Sequence, residues 1–204
     1  MLIVIVIVLI TPSLSWAATL IAVPFTSQAP FGNWAQPWQD FCEEASVAMA
    51  VHFVWGVPLM PSFAETEMQI IRQYEQIVFK KYKDTSASET ASILSHLFGF
   101  KNVRTQTITS RDEIKKELSA GNIIIIPAAG RMLKNPYFTP PGPLYHMLVI
   151  KGFDDERGTF ITNDPGTRKG NGFAYSQSRL FDAIHDWNEG DVLSGAKKII
   201  VIGK

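Results

Sequence analysis

Residues 40–50 read DFCEEASVAMA and contain the only cysteine of the sequence, Cys42. A turn-like stretch precedes this segment, which itself has helical character, so the sequence predicts a helix from Cys42 to Trp55. Backbone N–H groups and the dipole at a helix N-terminus favour a thiolate over a thiol. A thiolate is the nucleophile of acyl-transfer chemistry. A free cysteine is also often buried as a small hydrophobic side chain, so this stretch alone leaves both interpretations open.

Two later segments, residues 145–150 (YHMLVI) and 160–165 (FITNDP), supply the other groups that this chemistry needs. His146 begins an apolar strand and is the predicted base, with a structural histidine as the alternative. Asp164 follows the next strand and is the predicted orienting group, with a plain turn residue as the alternative. If the strands form a hairpin centred near residue 155 or 156, His146 and Asp164 come close to opposite each other. We expect the carboxylate to hold the imidazole through its Nδ1–H.

An acyl-transfer site also needs donors for the oxyanion of the tetrahedral intermediate. The backbone N–H of Cys42 is one candidate, and a side-chain amide commonly supplies the second. Three glutamines precede the cysteine, namely Gln28, Gln36 and Gln39. Each of them equally fits a solvated loop residue, so the residues alone leave the choice open.

The N-terminus resembles a secretory leader. Residues 1–10 are an unbroken apolar run without a preceding Lys or Arg, Pro12 breaks the run, and residues 15–17 (SWA) resemble a cleavage site. We therefore predict a signal peptide over 1–17, one peptidase-like domain over 18–204, and a secreted or periplasmic protein. The alternatives for residues 1–10 are an uncleaved anchor and a buried strand. The run is shorter than the roughly 20 residues that span a bilayer, so no stable membrane span is expected after removal of the leader.

The amino-acid composition limits the classes of molecule that the protein is expected to bind. The 19 basic and 19 acidic side chains cancel, so no overall field recruits nucleic acid or an anionic membrane. The four histidines show no ligand spacing, and we predict no metal and no cofactor. Exported domains usually carry paired cysteines, so an unpaired thiol such as Cys42 is expected either to be reactive or to pair with another chain. The predicted partner is a peptide or protein substrate.

Helices come first and strands follow, which indicates an α+β fold in one domain. The predicted helices cover residues 42–55, 63–82, 86 or 88 to 98, 111–119 and 176–187. The predicted strands cover residues 20–25, 103–108, 122–127, 145–153, 159–163 and 196–202. Residues 168–172 (RKGNG) are interpreted as a flexible basic loop.

Three blocks in this order resemble a known family: residues 23–30 (VPFTSQAP), residues 39–46 (QDFCEEAS), and residues 146–153 with 163–165 (NDP). They look like the peptidase-like domains related to double-glycine (bacteriocin-processing) cysteine peptidases of the papain-like superfamily. The resemblance implies a papain-like α+β fold with N-terminal helices packed on an antiparallel sheet.

The resemblance also implies roles for individual residues. Cys42 is the nucleophile, His146 the base and Asp164 the orienting group. A glutamine is the oxyanion donor, where Gln28 matches the strand-plus-Gln block and Gln36 matches the spacing common in papain-like enzymes. We prefer Gln28.

One position departs from the better-known members, which carry Cys-Gly at the nucleophile. Here Glu43 follows Cys42, and Glu44 follows Glu43. Both acids favour the helix N-terminus, and both also raise the pKa of a nearby thiol.

The leading hypothesis is a secreted thiol hydrolase that cleaves peptide bonds through a thioester. The alternative is a catalytically inactive papain-like domain that binds peptides or cell-wall material. A third hypothesis is the same triad in amide exchange or peptidoglycan hydrolysis. The aromatic residues that are candidates for lining a cleft are Trp34, Trp38, Tyr137, Phe138 and Tyr145.

Overall fold

A computed structural model describes residues 18–204, and the predicted signal peptide over 1–17 lies outside the described residues. In this range the strands are β1 (Ala18–Leu20), β2 (Val103–Thr107), β3 (Ile123–Ala129), β4 (Tyr145–Asp154), β5 (Thr159–Asn163), β6 (Asn171–Ser176) and β7 (Lys198–Ile202). The α-helices are α1 (Cys42–Trp55), α2 (Pro61–Val78), α3 (Ala87–Ser92), α4 (Arg111–Ser119), α5 (Gly130–Leu133) and α6 (Gln177–Ala183). A π-helical segment, Ile93–Leu97, continues α3, and 3₁₀ turns form at Trp38–Asp40 and Val192–Ser194.

The strands form one sheet in the order β2-β7-β3-β4-β5-β6, and β1 pairs with β4. All of these pairs are antiparallel. The N-terminal helices pack on this sheet, so the predicted α+β fold is confirmed. Antiparallel strands can be joined by a short hairpin, and such a hairpin brings β4 and β5 together at the site.

The sheet has a hydrophobic core on each face. Ile123 and Ile125 of β3 pack in the cluster that contains α1, whereas Ile124 and Ile126 pack in the cluster that contains α4 and α6. Because side chains alternate between the faces of a strand, a run of four isoleucines fits a strand that is buried on both sides. Every residue of β3 is buried.

Helix α1 is central to the molecule and begins at Cys42, as predicted. Its residues from Cys42 to Phe53 are all buried, because α1 lies between α2 and the sheet. The helix ends at Gly56, whose φ of 70° is the left-handed conformation that glycine adopts most readily. The burial of α1 carries two acids of its first turn, Glu43 and Glu44, into the interior.

The sequence misplaced one strand and missed another. The strand predicted over 20–25 is wrong beyond Leu20, because β1 covers Ala18–Leu20. Residues 171–176 form β6, which pairs with β5, although 168–172 was predicted as a flexible loop and 176–187 as a helix. β6 is an edge strand with mostly exposed or partly exposed side chains, and Tyr175 is its buried residue. A single buried position leaves no alternation for a sequence pattern to detect.

Candidate active site

Cys42 reaches a cavity of about 490 Å³ from the first position of α1. Its side chain is buried but keeps 8% of its surface exposed, on the cavity side. The first N–H groups of an α-helix have no intrahelical partner, so the backbone at this position presents hydrogen-bond donors. His146 and Gln28 line the same cavity.

His146 and Asp164 form a buried pair. The imidazole Nε2 lies 2.8 Å from the Asp164 carboxylate Oδ1, and neither side chain is more than 2% exposed. The expected contact through Nδ1 is therefore wrong: the carboxylate binds Nε2, so Nδ1 is the ring nitrogen that is left for the thiol. The ring of Phe138 packs edge-on against the imidazole at 5.2 Å between centroids.

The β4–β5 hairpin brings the two residues together with a shifted register. Val149 pairs with Asn163 and Ile150 with Thr162, and an irregularity follows before Gly152 pairs with Ile161. Continued past Asn163, this register sets position 164 opposite 148 and not opposite 146. The expected face-to-face placement is thus offset by two residues, and the side chains meet across the end of the hairpin.

Four groups donate hydrogen bonds to the Asp164 carboxylate. Besides His146 Nε2, they are Asn135 Nδ2 at 3.0 Å, Tyr175 Oη at 2.5 Å and the backbone N–H of Gly166 at 2.9 Å. Burial by itself raises the pKa of Asp164, but the attraction of His146 and these hydrogen bonds outweigh burial and lower it. Asp164 is therefore ionised at neutral pH.

Sequence reasoning missed Asn135 and Tyr175. Asn135 lies in a proline-rich loop and Tyr175 in the unrecognised strand β6, so neither position carried a local signal. Asn135 also donates to the Tyr175 hydroxyl at 2.7 Å, which joins the two residues in one network behind Asp164.

Gly166 leaves room for the imidazole. A Cβ atom at this position would lie 2.9 Å from His146 Cε1 and 2.8 Å from Phe138 Cε1. Any larger residue would displace one of the two rings, so the Pro165-Gly166 pair after β5 is part of the site's construction.

Gln28 is buried, lines the cavity and ties together the two loops of the site. Its Nε2 donates to the carbonyls of Trp38 at 3.0 Å and Gln39 at 2.7 Å, just before the cysteine. Its backbone N–H donates to the Pro165 carbonyl at 2.9 Å. Gln36, the other candidate donor, is exposed and does not line the cavity.

Glu43 is the immediate partner of the thiol. Cys42 Sγ donates to Glu43 Oε2 at 2.9 Å, and the backbone N–H of Thr85 donates to Oε1 at 3.2 Å. Burial raises the pKa of Glu43 to about 7. Within residues 18–204, the hydrogen bond of the thiol goes to this carboxyl and not to His146.

The resting thiol is therefore not activated by its helix. Burial raises the pKa of Cys42 well above its ordinary value, and the negative charge and hydrogen bond of Glu43 raise it further. A hydrogen bond from the backbone N–H of Met147 lowers it, but less. The sequence left the balance between the helix N-terminus and the two acids open, and in this arrangement burial and Glu43 favour the protonated thiol.

Comparison with known proteins identifies the family of the chain. The model of the Peptidase_C39 like family matches residues 20–189. The chain belongs to this family.

A solved relative of this C39-like domain shares its fold. The crystal structure of a protein assigned as a C39-like peptidase from Bacillus anthracis is 15% identical and superposes with a TM-score of 0.59. The match covers 92% of this chain and 98% of that one. No curated protein matches the chain.

The cavity of the C39-like domain is walled by two segments besides the triad candidates. One is the proline-rich loop at residues 138–144, and the other is the loop before α1 with Trp34 and Asp40; Asp84, in the loop after α2, also lines the cavity. Of the five aromatic candidates, Trp34, Phe138 and Tyr145 line the cavity. Trp38 packs instead on Phe41, at 5.1 Å between ring centroids, and Tyr137 packs on Phe173.

Within residues 18–204, none of the helices combines the length and the apolar character needed to cross a membrane.

Proposed function

We propose that this C39-like domain is an active cysteine peptidase that hydrolyses peptide bonds through a thioester, with Cys42, His146 and Asp164 as its triad. One observation carries the proposal. Cys42 and His146 line one cavity, while the buried Asp164 carboxylate lies 2.8 Å from Nε2 of the imidazole. A nucleophile, a base and a group that orients the base are the parts that covalent acyl transfer requires.

Asp164 sets the tautomer of the base. Because its carboxylate is ionised, it accepts the proton of Nε2, and this leaves the lone pair of Nδ1 to act on the thiol. The bonds from Asn135 and Tyr175 hold the carboxylate in place. The imidazole is thereby oriented before the substrate arrives.

The reaction begins when the Cys42 sulfur leaves Glu43 and turns to His146. The imidazole Nδ1 takes the thiol proton, and the thiolate attacks the carbonyl carbon of the peptide bond. The C–N bond then breaks while His146 returns the proton to the leaving amine, and a thioester remains on Cys42. Water attacks this thioester as His146 takes its proton, which releases the carboxylic acid and restores the thiol.

The oxyanion needs two donors, for which we propose the Cys42 backbone N–H and the Gln28 amide. Gln28 is supported over Gln36 by its burial and its place in the cavity wall. Both N–H groups of its Nε2 now face carbonyls, so one must exchange its carbonyl for the oxyanion during the reaction. Preorganised donors of this kind contribute roughly 10²–10³-fold in rate.

The proposed substrate is a peptide or protein segment that enters the cavity beside the proline-rich loop. The leader-like composition of residues 1–17 supports a secreted or periplasmic site of action.

Turnover of a peptide library by the wild-type protein and by Cys42→Ala tests the proposal. We expect the wild-type protein to cleave a subset of peptides and the variant to lose at least ~10³-fold of that activity. An acyl-enzyme of increased mass on Cys42, trapped with a slow ester substrate, would identify the thioester. Cleavage that persists in Cys42→Ala, or a wild-type protein that cleaves no peptide, would overturn it.

A catalytically inactive peptide-binding domain is the second candidate, and the thiol itself favours it. In the resting site Cys42 contacts Glu43, and its pKa is raised. The same library distinguishes the two functions, because an inactive domain would retain peptides on both proteins without cleaving them.

A further inference from the structure

The contact between Cys42 and Glu43 has no role in the proposed hydrolysis of a peptide bond. The thiol donates to Glu43 Oε2 at 2.9 Å, and the mechanism needs that thiol to donate to His146. The acceptor is well fixed, because its other oxygen accepts the Thr85 N–H and the Tyr145 hydroxyl donates to the Thr85 carbonyl at 2.8 Å. Glu43 is 1% exposed, so water does not replace this contact.

We propose that Glu43 is a positioning residue that keeps the Cys42 thiol protonated and directed away from His146, so that the resting site is held unreactive. The inference rests on the proposed function for its consequence, since only a nucleophile needs such restraint. The thiol gains reactivity when the Glu43 contact breaks and its proton passes from Sγ to Nδ1 of His146.

The charges of Glu43 and Glu44 both raise the pKa of the Cys42 thiol, and most of the titratable groups near Glu43 are acids. The groups near Glu43 are Cys42 and Glu44 on α1, Glu75 on α2, Asp84 in the loop after α2, and Tyr145 and His146 on β4. A thiolate formed beside an ionised Glu43 adds a second negative charge in a buried setting, which costs more than the same charge in water. His146 is the one basic group in this set.

The pair shares its protons as a unit. Two interacting groups lose their protons in two steps that belong to the pair. The Glu43 carboxyl, with a pKa of about 7, is the first to ionise, and the thiol then becomes harder to ionise. As the pH rises above about 7, an ionised Glu43 beside a protonated thiol becomes the favoured combination.

Glu43→Gln reverses this contact with little change of shape. Glutamine Oε1 still accepts the Thr85 N–H, but its Nε2 faces the sulfur as a donor, which stabilises a thiolate. We measure the rate of Cys42 alkylation by iodoacetamide from about pH 5 to 10. At pH 7 we expect the variant to react ~10-fold faster than the wild-type protein, with its pH midpoint moved down, because one pKa unit is tenfold.

Glu44→Gln is the matched control. It makes the same substitution one residue further along the same buried helical turn, but Glu44 faces Glu75 and does not contact the sulfur. We expect a clearly smaller acceleration. An equal acceleration in both variants, or a Glu43→Gln rate at or below that of the wild-type protein, would overturn the inference.

If Glu43→Gln does not fold, the pH dependence of Cys42 alkylation in the wild-type protein is an independent test. A restrained thiol shows no thiolate plateau below its ordinary pKa of 9.0, so a plateau near neutral pH would contradict the inference. Alkylation requires no peptidase activity, which separates the two proposals. Faster alkylation of Glu43→Gln without peptide cleavage would reject only the peptidase, and peptide cleavage with unchanged alkylation would reject only the restraint.

Discussion

Two buried carboxyls, Asp164 on the sheet side of the site and Glu43 on the helix side, each contact one side chain of the proposed triad, and their pKa values move in opposite directions. The pKa of Asp164 is lowered, whereas that of Glu43 rises to about 7. Burial raises the pKa of both. Asp164 accepts four hydrogen bonds, one of them from an imidazole, while Glu43 accepts a weak S–H donor and one backbone N–H.

Burial is the largest single influence on both carboxyls, so the difference in their pKa values comes from their partners: at Asp164 the attraction of His146 and the hydrogen bonds together outweigh burial, and at Glu43 the partners do not. Because their pKa values shift in opposite directions, the two carboxyls contribute to stability with opposite pH dependences. The contribution of Asp164 to stability is present above its ordinary pKa of 3.8 and is lost as the pH falls through its lowered native value. The contribution of Glu43 is present below 4.5 and is lost as the pH rises through about 7.

Substitution of Asp164, the carboxyl on the sheet side of the site, should have the largest effect on activity and stability. Asp164→Asn keeps the shape of the side chain but sets an NH₂ group among four donors. We expect peptide cleavage to fall by ~100-fold or more and the free energy of unfolding to fall by about 1–3 kcal/mol. Steady-state kinetics and urea unfolding measure the two losses.

Asp112→Asn is the control for this substitution, because the Asp112 side chain is 87% exposed. It should leave both quantities nearly unchanged. Full activity of Asp164→Asn would show that the imidazole does not depend on the carboxylate, and the sheet side would lose its assigned role.

Substitution of Gln28, in the loop that precedes α1, should have the next largest effect on activity. Gln28→Ala removes the proposed oxyanion donor, and we expect kcat to fall by ~10²-fold or more. Gln36→Ala, the matched control, should change kcat little because Gln36 is exposed. A loss of activity in Gln36→Ala and not in Gln28→Ala would exchange the two assignments.

The smallest effect is a change in thermal stability, and it concerns Glu44 and Glu75, the two acids behind Glu43. Burial raises the pKa of Glu75 to about 9 and raises that of Glu44, and the two carboxyls face each other between α1 and α2. The folded protein keeps a proton on Glu75 that the unfolded chain releases, so stability falls as the pH rises from 4.5 toward 9. Glu75→Gln should therefore raise Tm near pH 8 and leave it almost unchanged near pH 4.

The expected gain is a few degrees, since 1 kcal/mol shifts Tm by roughly 2–4 °C in a domain of this size. Thermal unfolding at the two pH values measures it. Glu65→Gln on the same helix is the control, because Glu65 is partly exposed and lies outside the acid cluster. An equal gain at both pH values would show that packing, and not ionisation, is responsible.

Local signals in the sequence predicted several elements closely. α4 covers Arg111–Ser119 as expected, because Ser110 and Glu113 form a capping box at its start. β5 has the predicted bounds, and α1 begins at Cys42 and ends before Gly56. Each of these depends on neighbours within a few residues, which a sequence displays directly.

Local signals could not predict the contacts between residues that are distant in the sequence. Tyr175 reaches Asp164 only because β6 pairs with β5, and Asn135 does so from a loop without regular structure. The register of the hairpin includes an irregularity between Ile150 and Gly152 that no local pattern in β4 indicated.

The sequence by itself determined which residues are available for chemistry: one thiol at a helix start, an imidazole that begins a strand, and an aspartate that ends the next strand. These are properties of residue type and local periodicity. The tertiary structure alone decided their state, because ionisation depends on burial and on donors that come from remote segments. Those donors are plentiful around the Asp164 carboxylate, whereas the thiol of Cys42 is buried beside Glu43.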